Sequence, residues 1–193
     1  MMAQTQPEDR VNYGAKKFNM WIFILTSVLL FAGFSSAFIV YSGGKGHGLD
    51  VIMPRAFMYS TAIIILSSIT LFMASAAAKQ SQPAKQRRFL WLTFFLGLAF
   101  FAMQIYAWYI LAYKMDVHFT DSNAARSFIY IFSGMHLLHI IAALLVLLNT
   151  IISTYRSTTL AKNLFKMEMT SIFWHFLDIM WIYLYVFLLL NQY

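Results

Sequence analysis

The sequence predicts an all-α membrane protein: a five-transmembrane-helix bundle, N-terminus cytoplasmic and C-terminus outside. Three observations carry this. Of 193 residues, 61% are hydrophobic and only 11% are charged, far too few charges for a soluble domain of that length. Five stretches free of Lys and Arg are long enough to cross a bilayer, for which about 20 residues suffice. The basic residues between them are unevenly shared, ten on one side against four on the other, which orients the chain by the positive-inside rule.

Residues 1–17 are polar and read as an N-terminal tail; 18–193 form a single transmembrane domain. The spans fall at about 18–42, 56–78, 89–113, 127–155 and 169–192. Each must be a helix, because an unpaired backbone amide is too costly in lipid. The first span is too long for a signal-peptide core and is expected to be retained. With five spans, the N-terminus, the second loop and the fourth loop share one side. That side holds Arg10, Lys16 and Lys17; Lys79, Lys85, Arg87 and Arg88; and Arg156, Lys162 and Lys166. The other holds only Lys45, Arg55, Lys114 and Arg126.

Composition also excludes chemistry. There is no cysteine, hence no disulfide, thiolate site or cysteine nucleophile. The carboxylates are Glu8, Asp9, Asp50, Asp116, Asp121, Glu168 and Asp178. The net charge of +7 lies in short loops, where it sets topology and meets anionic lipid; no nucleic-acid partner is expected. Small residues mark where helices could approach: Gly33, Ser36 and Ala37; Ser67, Ser68 and Ser75; Gly134, Ala142 and Ala143.

Span four carries His136 and His139 on one face, and span five carries His175 and Asp178, again three apart. An aspartate at this depth costs about 2.5–3.5 kcal/mol on insertion scales and needs a partner. Counting inward, His139 and Asp178 each lie about 12 Å from the inner face. Asp178 is therefore expected to pair with His139 or with another polar group of spans four and five. Other readings compete. Opposed histidines could ligate a haem. A di-metal site wants more carboxylates. A zinc hydrolase wants a glutamate where Leu137 stands. A proton path through His139 and Asp178 is chemically plausible, but titratable groups are few.

The motifs form an ordered set. FIYIFSGMHLLHIIAALL resembles the G-x-H-x-x-H helix of subunit III of the haem–copper oxidases. FWHFLDIMWIYLYVFLLL resembles that family's W-H-F-x-D-x-x-W last helix. MWIFILTSVLLFAGFSSAFIV, STAIIILSS and GLAFFAMQIYAW are similar to its earlier helices, in order, from about Lys17 onward. The five spans match its shorter bacterial form, which lacks two leading helices. Two positions depart: Ser27 and Ala107 stand where the family usually has glutamate, so a carboxylate-based proton role does not carry over.

The resemblance implies an accessory subunit of a proton-pumping terminal oxidase in the bacterial inner (cell) membrane. It implies packing against catalytic subunit I and subunit II, phospholipid in a helical cleft, support of sustained turnover, proton uptake and O₂ access, and a place in a respiratory supercomplex. The chain itself is expected to bind no cofactor, with haems and copper in the partner subunits. His136, His139, His175 and Asp178 are expected to form a buried polar cluster. Trp174, His175 and Glu168 are expected near lipid headgroups. The rivals are a haem-b-binding membrane anchor, which would show a Soret band alone, and a small transporter.

Overall fold

The structure, a computed structural model, describes residues 7–45, 49–119, 123–156 and 159–192. Among these the elements are α1 (Pro7–Lys45), α2 (Arg55–Lys79), α3 (Pro83–Tyr109, continued by a π-helical turn over Ile110–Lys114), α4 (Ala124–Tyr155) and α5 (Leu160–Leu190). All five are long and apolar enough to cross a membrane. One expectation changes: α1 begins at Pro7, so residues 7–17 are helical rather than a tail. Proline at a first helical position loses no internal hydrogen bond, and nothing after it interrupts the helix before the first span.

Local chemistry sets the ends. Past α2, Ser81 takes φ 55°, and the amide of Gln82 bonds back to Ala77 O at 3.0 Å, a Schellman-type closure. Pro83 then opens α3. The Asn123 side chain caps α4 by accepting from the Ala125 amide at 3.0 Å, satisfying an orphan donor. The loop after α1 tucks Leu49, Val51 and Met53 under the bundle, and the Leu49 amide bonds Asn191 O at 3.2 Å.

Helices α2 to α5 form a ring in which α2 touches α3 and α5, and α4 touches α3 and α5. Helix α1 lies outside it, packed on α4 and α5 alone. The buried stripes follow from this. In α3 the buried residues are Gln86, Leu90, Thr93, Gly97, Phe100, Gln104 and Ala107, spaced alternately by four and three. That 3.5-residue period is the seam of left-handed helix packing. The stripe of α1 is equally narrow: Ile24, Ser27, Phe31, Ser35 and Phe38. Helices α4 and α5 each touch three helices, and their buried faces are wider, with adjacent pairs such as Phe132–Ser133 and Phe173–Trp174.

The seam of α3 is also less apolar than its outside. Leu92, Phe95, Leu98 and Ile105 of α3 are exposed while its glutamines, threonine and glycine are inside. In lipid this is sound: apolar chains gain nothing by hiding from acyl tails, and small or polar residues provide close approach and interhelical hydrogen bonds.

Candidate functional site

The polar interior is built in layers. At the end bearing the α2–α3 and α4–α5 loops, Gln86 and Asn163 exchange two amide hydrogen bonds, 3.2 and 3.0 Å. Arg87 donates to Thr154 O at 2.7 Å and lies 4.5 Å from the centre of the Tyr155 ring. A cation there complements the carbonyl-rich C-terminus of α4. Lys166 donates to Ser153 Oγ at 2.8 Å, and the hydroxyls of Thr150 and Thr170 meet at 2.8 Å.

The middle layer turns on Trp174. Its indole N–H donates to Ser67 Oγ at 3.0 Å, and its ring lies against Gly97, where an added Cβ would come within 2.8 Å of it. Trp174 is 1% exposed. It faces the ring's interior and not the lipid headgroups where it was expected. The next tryptophan repeats the device one level on: Trp181 donates to Thr61 Oγ1 at 3.0 Å. Beside it, the Gln104 amide donates to Ser60 Oγ at 2.9 Å.

The structure places the four singled-out residues in three separate environments. His139 faces α1. Its Nδ1 donates to Met135 O at 2.7 Å, and its Nε2 lies 3.2 Å from Ser27 Oγ, whose hydroxyl also reaches Phe23 O at 2.8 Å. The rings of Phe23 and Phe31 flank it. His136 faces the interior of the ring, fully buried between Phe100 and Trp181, and neither ring nitrogen has a hydrogen-bond partner among the described residues. His175 faces α2: its Nδ1 is 2.7 Å from Ser68 Oγ and 3.6 Å from Asp178 Oδ2.

Asp178 is 4% exposed, so it turns away from lipid, and its partner is His175 of its own helix. The expected alternative, His139, is not used. The reason is the alignment of α4 with α5. The Thr150–Thr170 and Ser153–Lys166 bonds put Ala142, not His139, level with Asp178, and His139 points to α1. A single cluster of four residues is thus replaced by three local arrangements. No two of these imidazoles oppose each other across a gap, as paired haem ligands would. Among the described residues no group of three or more His, Asp or Glu side chains is arranged to hold a metal.

The small-residue expectation divides. Ser67 and Ser68 receive Trp174 and His175, and Gly134 lies against Trp108, 3.7 Å from an added Cβ. Gly33, Ser36 and Ala37 are exposed instead, because α1 turns its bulkier stripe inward. Glu168 is half-exposed and bridges to Lys17 of α1. Ser27, where the resemblance calls for glutamate, is the contact of His139; Ala107 is fully buried on α3.

Sequence reasoning missed a groove between α1, α4 and α5. At the loop end it is lined by Lys16, Lys162 and Lys166, with Tyr13 and Asn149, in a volume of about 330 Å³. An adjoining hollow of about 290 Å³ shares Val146 and Met169 and is otherwise Met20, Phe23, Ala142 and Phe173. The signal was the Lys162–Lys166 pair, one turn apart on α5. Its meeting with Lys16 depends on how α1 docks, which no local pattern reveals.

Comparison with known proteins gives a consistent result. A family model described as cytochrome c oxidase subunit III matches residues 4–192. Cytochrome c oxidase subunit 3 of Alkalihalophilus pseudofirmus is 28% identical over 185 residues, covering 94% of this chain and 89% of the relative. Cytochrome bo(3) ubiquinol oxidase subunit 3 of Pseudomonas aeruginosa is 32% identical over 173 residues, 88% of this chain and 81% of the relative. Cytochrome c oxidase subunit 3 of Thermostichus vulcanus is 25% identical over 193 residues, 96% and 89% of the two chains.

Proposed function

The chain belongs to the cytochrome c oxidase subunit III family, and from that premise we propose that it is the accessory subunit III of a proton-pumping haem–copper terminal oxidase. The observation that carries this is the family match along nearly the whole chain. In this reading the haems and copper lie in the catalytic subunit I and in subunit II, against which the bundle packs in the bacterial inner membrane. In this reading the N-terminus and the α2–α3 and α4–α5 loops face the cytoplasm, which the ten-to-four division of basic residues supports.

The phospholipid expected of the family fits the groove between α1, α4 and α5. Three lysines converge at its head with no carboxylate among the lining residues, and its stem is apolar. A phosphate headgroup would sit among the lysines and one acyl chain would run beside Phe23 and Phe173. Each basic side chain near an anionic headgroup contributes about 1 kcal/mol. Three of them make this a preferential site rather than a passing contact.

The exposed face of α1 gives the bundle a place to meet another helix. Gly33 and Ala37 are exposed four residues apart, the small-x-x-x-small spacing that lets helix backbones approach closely.

The test is affinity capture of the tagged chain from its native membrane. Capture should bring down subunits I and II with haem and copper, and native mass spectrometry should retain an anionic phospholipid. Lys16→Gln, Lys162→Gln and Lys166→Gln together should release the lipid and shorten sustained turnover without preventing capture. A haem bound stoichiometrically by the chain alone would overturn the reading in favour of a haem-b anchor.

A further inference from the structure

A second groove, about 640 Å³, runs between α2 and α5 from the loop end. Its polar lining forms two facing stripes: Ser75 and Lys79 on α2, and Glu168, Ser171 and His175 on α5. Residues 168, 171, 175 and 178 are spaced by three, four and three, so they share one face of α5. The last of them, Asp178, lies about 15 Å deeper than Glu168 at 1.5 Å per residue. Both of its carboxylate oxygens are buried without a short hydrogen bond, with His175 and Ser68 as their polar neighbours. Between Asp178 and the groove stands His175, whose side chain is 33% exposed.

We propose that this groove is a water-filled half-channel through which Asp178 exchanges a proton with the aqueous phase at the loop end, His175 carrying it. Three facts converge. A buried carboxylate without a short hydrogen bond is expensive in a membrane, and such groups face protein or a water-filled cavity and mark proton sites. The groove is lined in the main by apolar side chains such as Phe72, Leu164, Phe165 and Ile172, but it carries polar partners for water, hydroxyls on both walls and the imidazole of His175. The path ends at Asp178: the next residue on the same face of α5 is the apolar Ile182, so the route runs to the loop end.

The transfer balances on one imidazole. A proton taken from groove water at Nε2 makes the ring imidazolium. The Nδ1 proton then passes to Ser68 Oγ, 2.7 Å away, as the Ser68 hydroxyl gives its own proton to the neighbouring Asp178 carboxylate, leaving the ring neutral with its proton on Nε2 and Ser68 donating to Nδ1. Reversal of these steps returns the proton to the groove. Among the charged or titratable groups on the neighbouring elements are Lys79 from α2, which lines the groove, Lys17 from α1, held by Glu168, and His136 and His139 from α4, whose rings face Trp181 and Ser27. Across the ring interior, α3 presents only Gly97 and Phe100 at this level.

The test is infrared titration of the full chain in lipid nanodiscs, which does not depend on the oxidase reading or on assembly with partners. A protonated-carboxyl band should titrate, shift with carbon-13 labelling of aspartate and vanish in Asp178→Asn. On transfer to D₂O it should shift within the mixing time. Ser75→Leu with Ser171→Leu, which fills the groove and leaves Asp178 intact, should slow that shift about tenfold or more, because exchange then waits for local opening. If Asp178→Asn does not fold, the labelled band and the double leucine variant still decide the matter. No titrating aspartate band, exchange only over hours in the wild type, or exchange indifferent to the leucines would each overturn the proposal.

Discussion

The ring of α2 to α5 and the outlying helix α1 solve the same problem differently. Inside the ring, large side chains are locked by size and by a hydrogen bond at once. Trp174 fills the space against Gly97 and donates to Ser67; Trp181 stacks on Phe57 and donates to Thr61. Helix α1 is held by single polar contacts strung along its length, Lys17 to Glu168, Ser27 to His139 and Ser35 to Tyr183, between which Phe31 and Phe38 are buried. The hydrophobic effect cannot drive helices together in lipid, so shape and local polar bonds must. The ring has both in the same place, and α1 has them dispersed. The ring should therefore behave as a rigid core, with α1 as an element that partners or lipid can reposition.

The sharpest way to break this comparison is Gly97. A Cβ there would stand 2.8 Å from Trp174 and 2.9 Å from Leu144, both in the buried interior. Gly97→Ala should cost about 1–3 kcal/mol from overpacking alone, and Gly97→Leu should prevent a stable bundle. By contrast Gly33, with nothing within 4 Å of its Cβ, should accept Leu without loss of thermal stability in the isolated chain. Gly33→Leu should instead weaken retention by the oxidase complex. Equal thermal losses at the two glycines would remove the distinction between ring and outlier.

Ser67→Ala comes next. It leaves the Trp174 indole N–H without its acceptor inside the ring, at a cost of about 0.6–1.7 kcal/mol for an interhelical hydrogen bond in a membrane. Thermal unfolding in detergent measures it. His136 is the exception within the ring, because it is buried with neither nitrogen bonded. An unsatisfied buried polar group costs about 1–3 kcal/mol, so His136→Leu, of similar volume, should leave stability unchanged or raise it. A clear loss would mean that the imidazole holds a bound water, with the unpartnered Gln104 Oε1 of the same ring as a candidate second contact.

These cases explain what was legible beforehand. The five spans are a matter of length and charge, and both are printed in the sequence. Which face of each span turns inward is not, because the usual guide is inverted here. In α3 the buried stripe includes Gln86, Thr93, Gly97 and Gln104 alongside Leu90 and Phe100, while Leu92, Phe95 and Leu98 face outward. The buried histidines and aspartate were visible as polar residues in apolar runs. Their partners were not, since those depend on rotation about the helix axis: a turn of α4 decides whether His139 meets Asp178 or Ser27. Trp174 was expected at the interface from its position near the end of a span. Its rotation carries it into the ring.

The smallest effect belongs to α1. Lys17 and Glu168 are each nearly half exposed, so solvent and headgroups screen their attraction, and such pairs contribute about 0–1 kcal/mol. Lys17→Met should hardly move the unfolding temperature. Its consequence is positional, because this bridge is a polar contact that ties the loop end of α1 to α5, beside the lysine-lined groove. A spin-label pair on α1 near Phe18 and on α5 near Ala161 should therefore show a broader distance distribution in Lys17→Met, and in wild type at high salt, where screening weakens the same pair. A pair on α3 and α4 should show neither change. If the α1 distribution stays narrow in both, the dispersed contacts of this helix are together as rigid as the ring, and the contrast between the two regions fails at its weakest point.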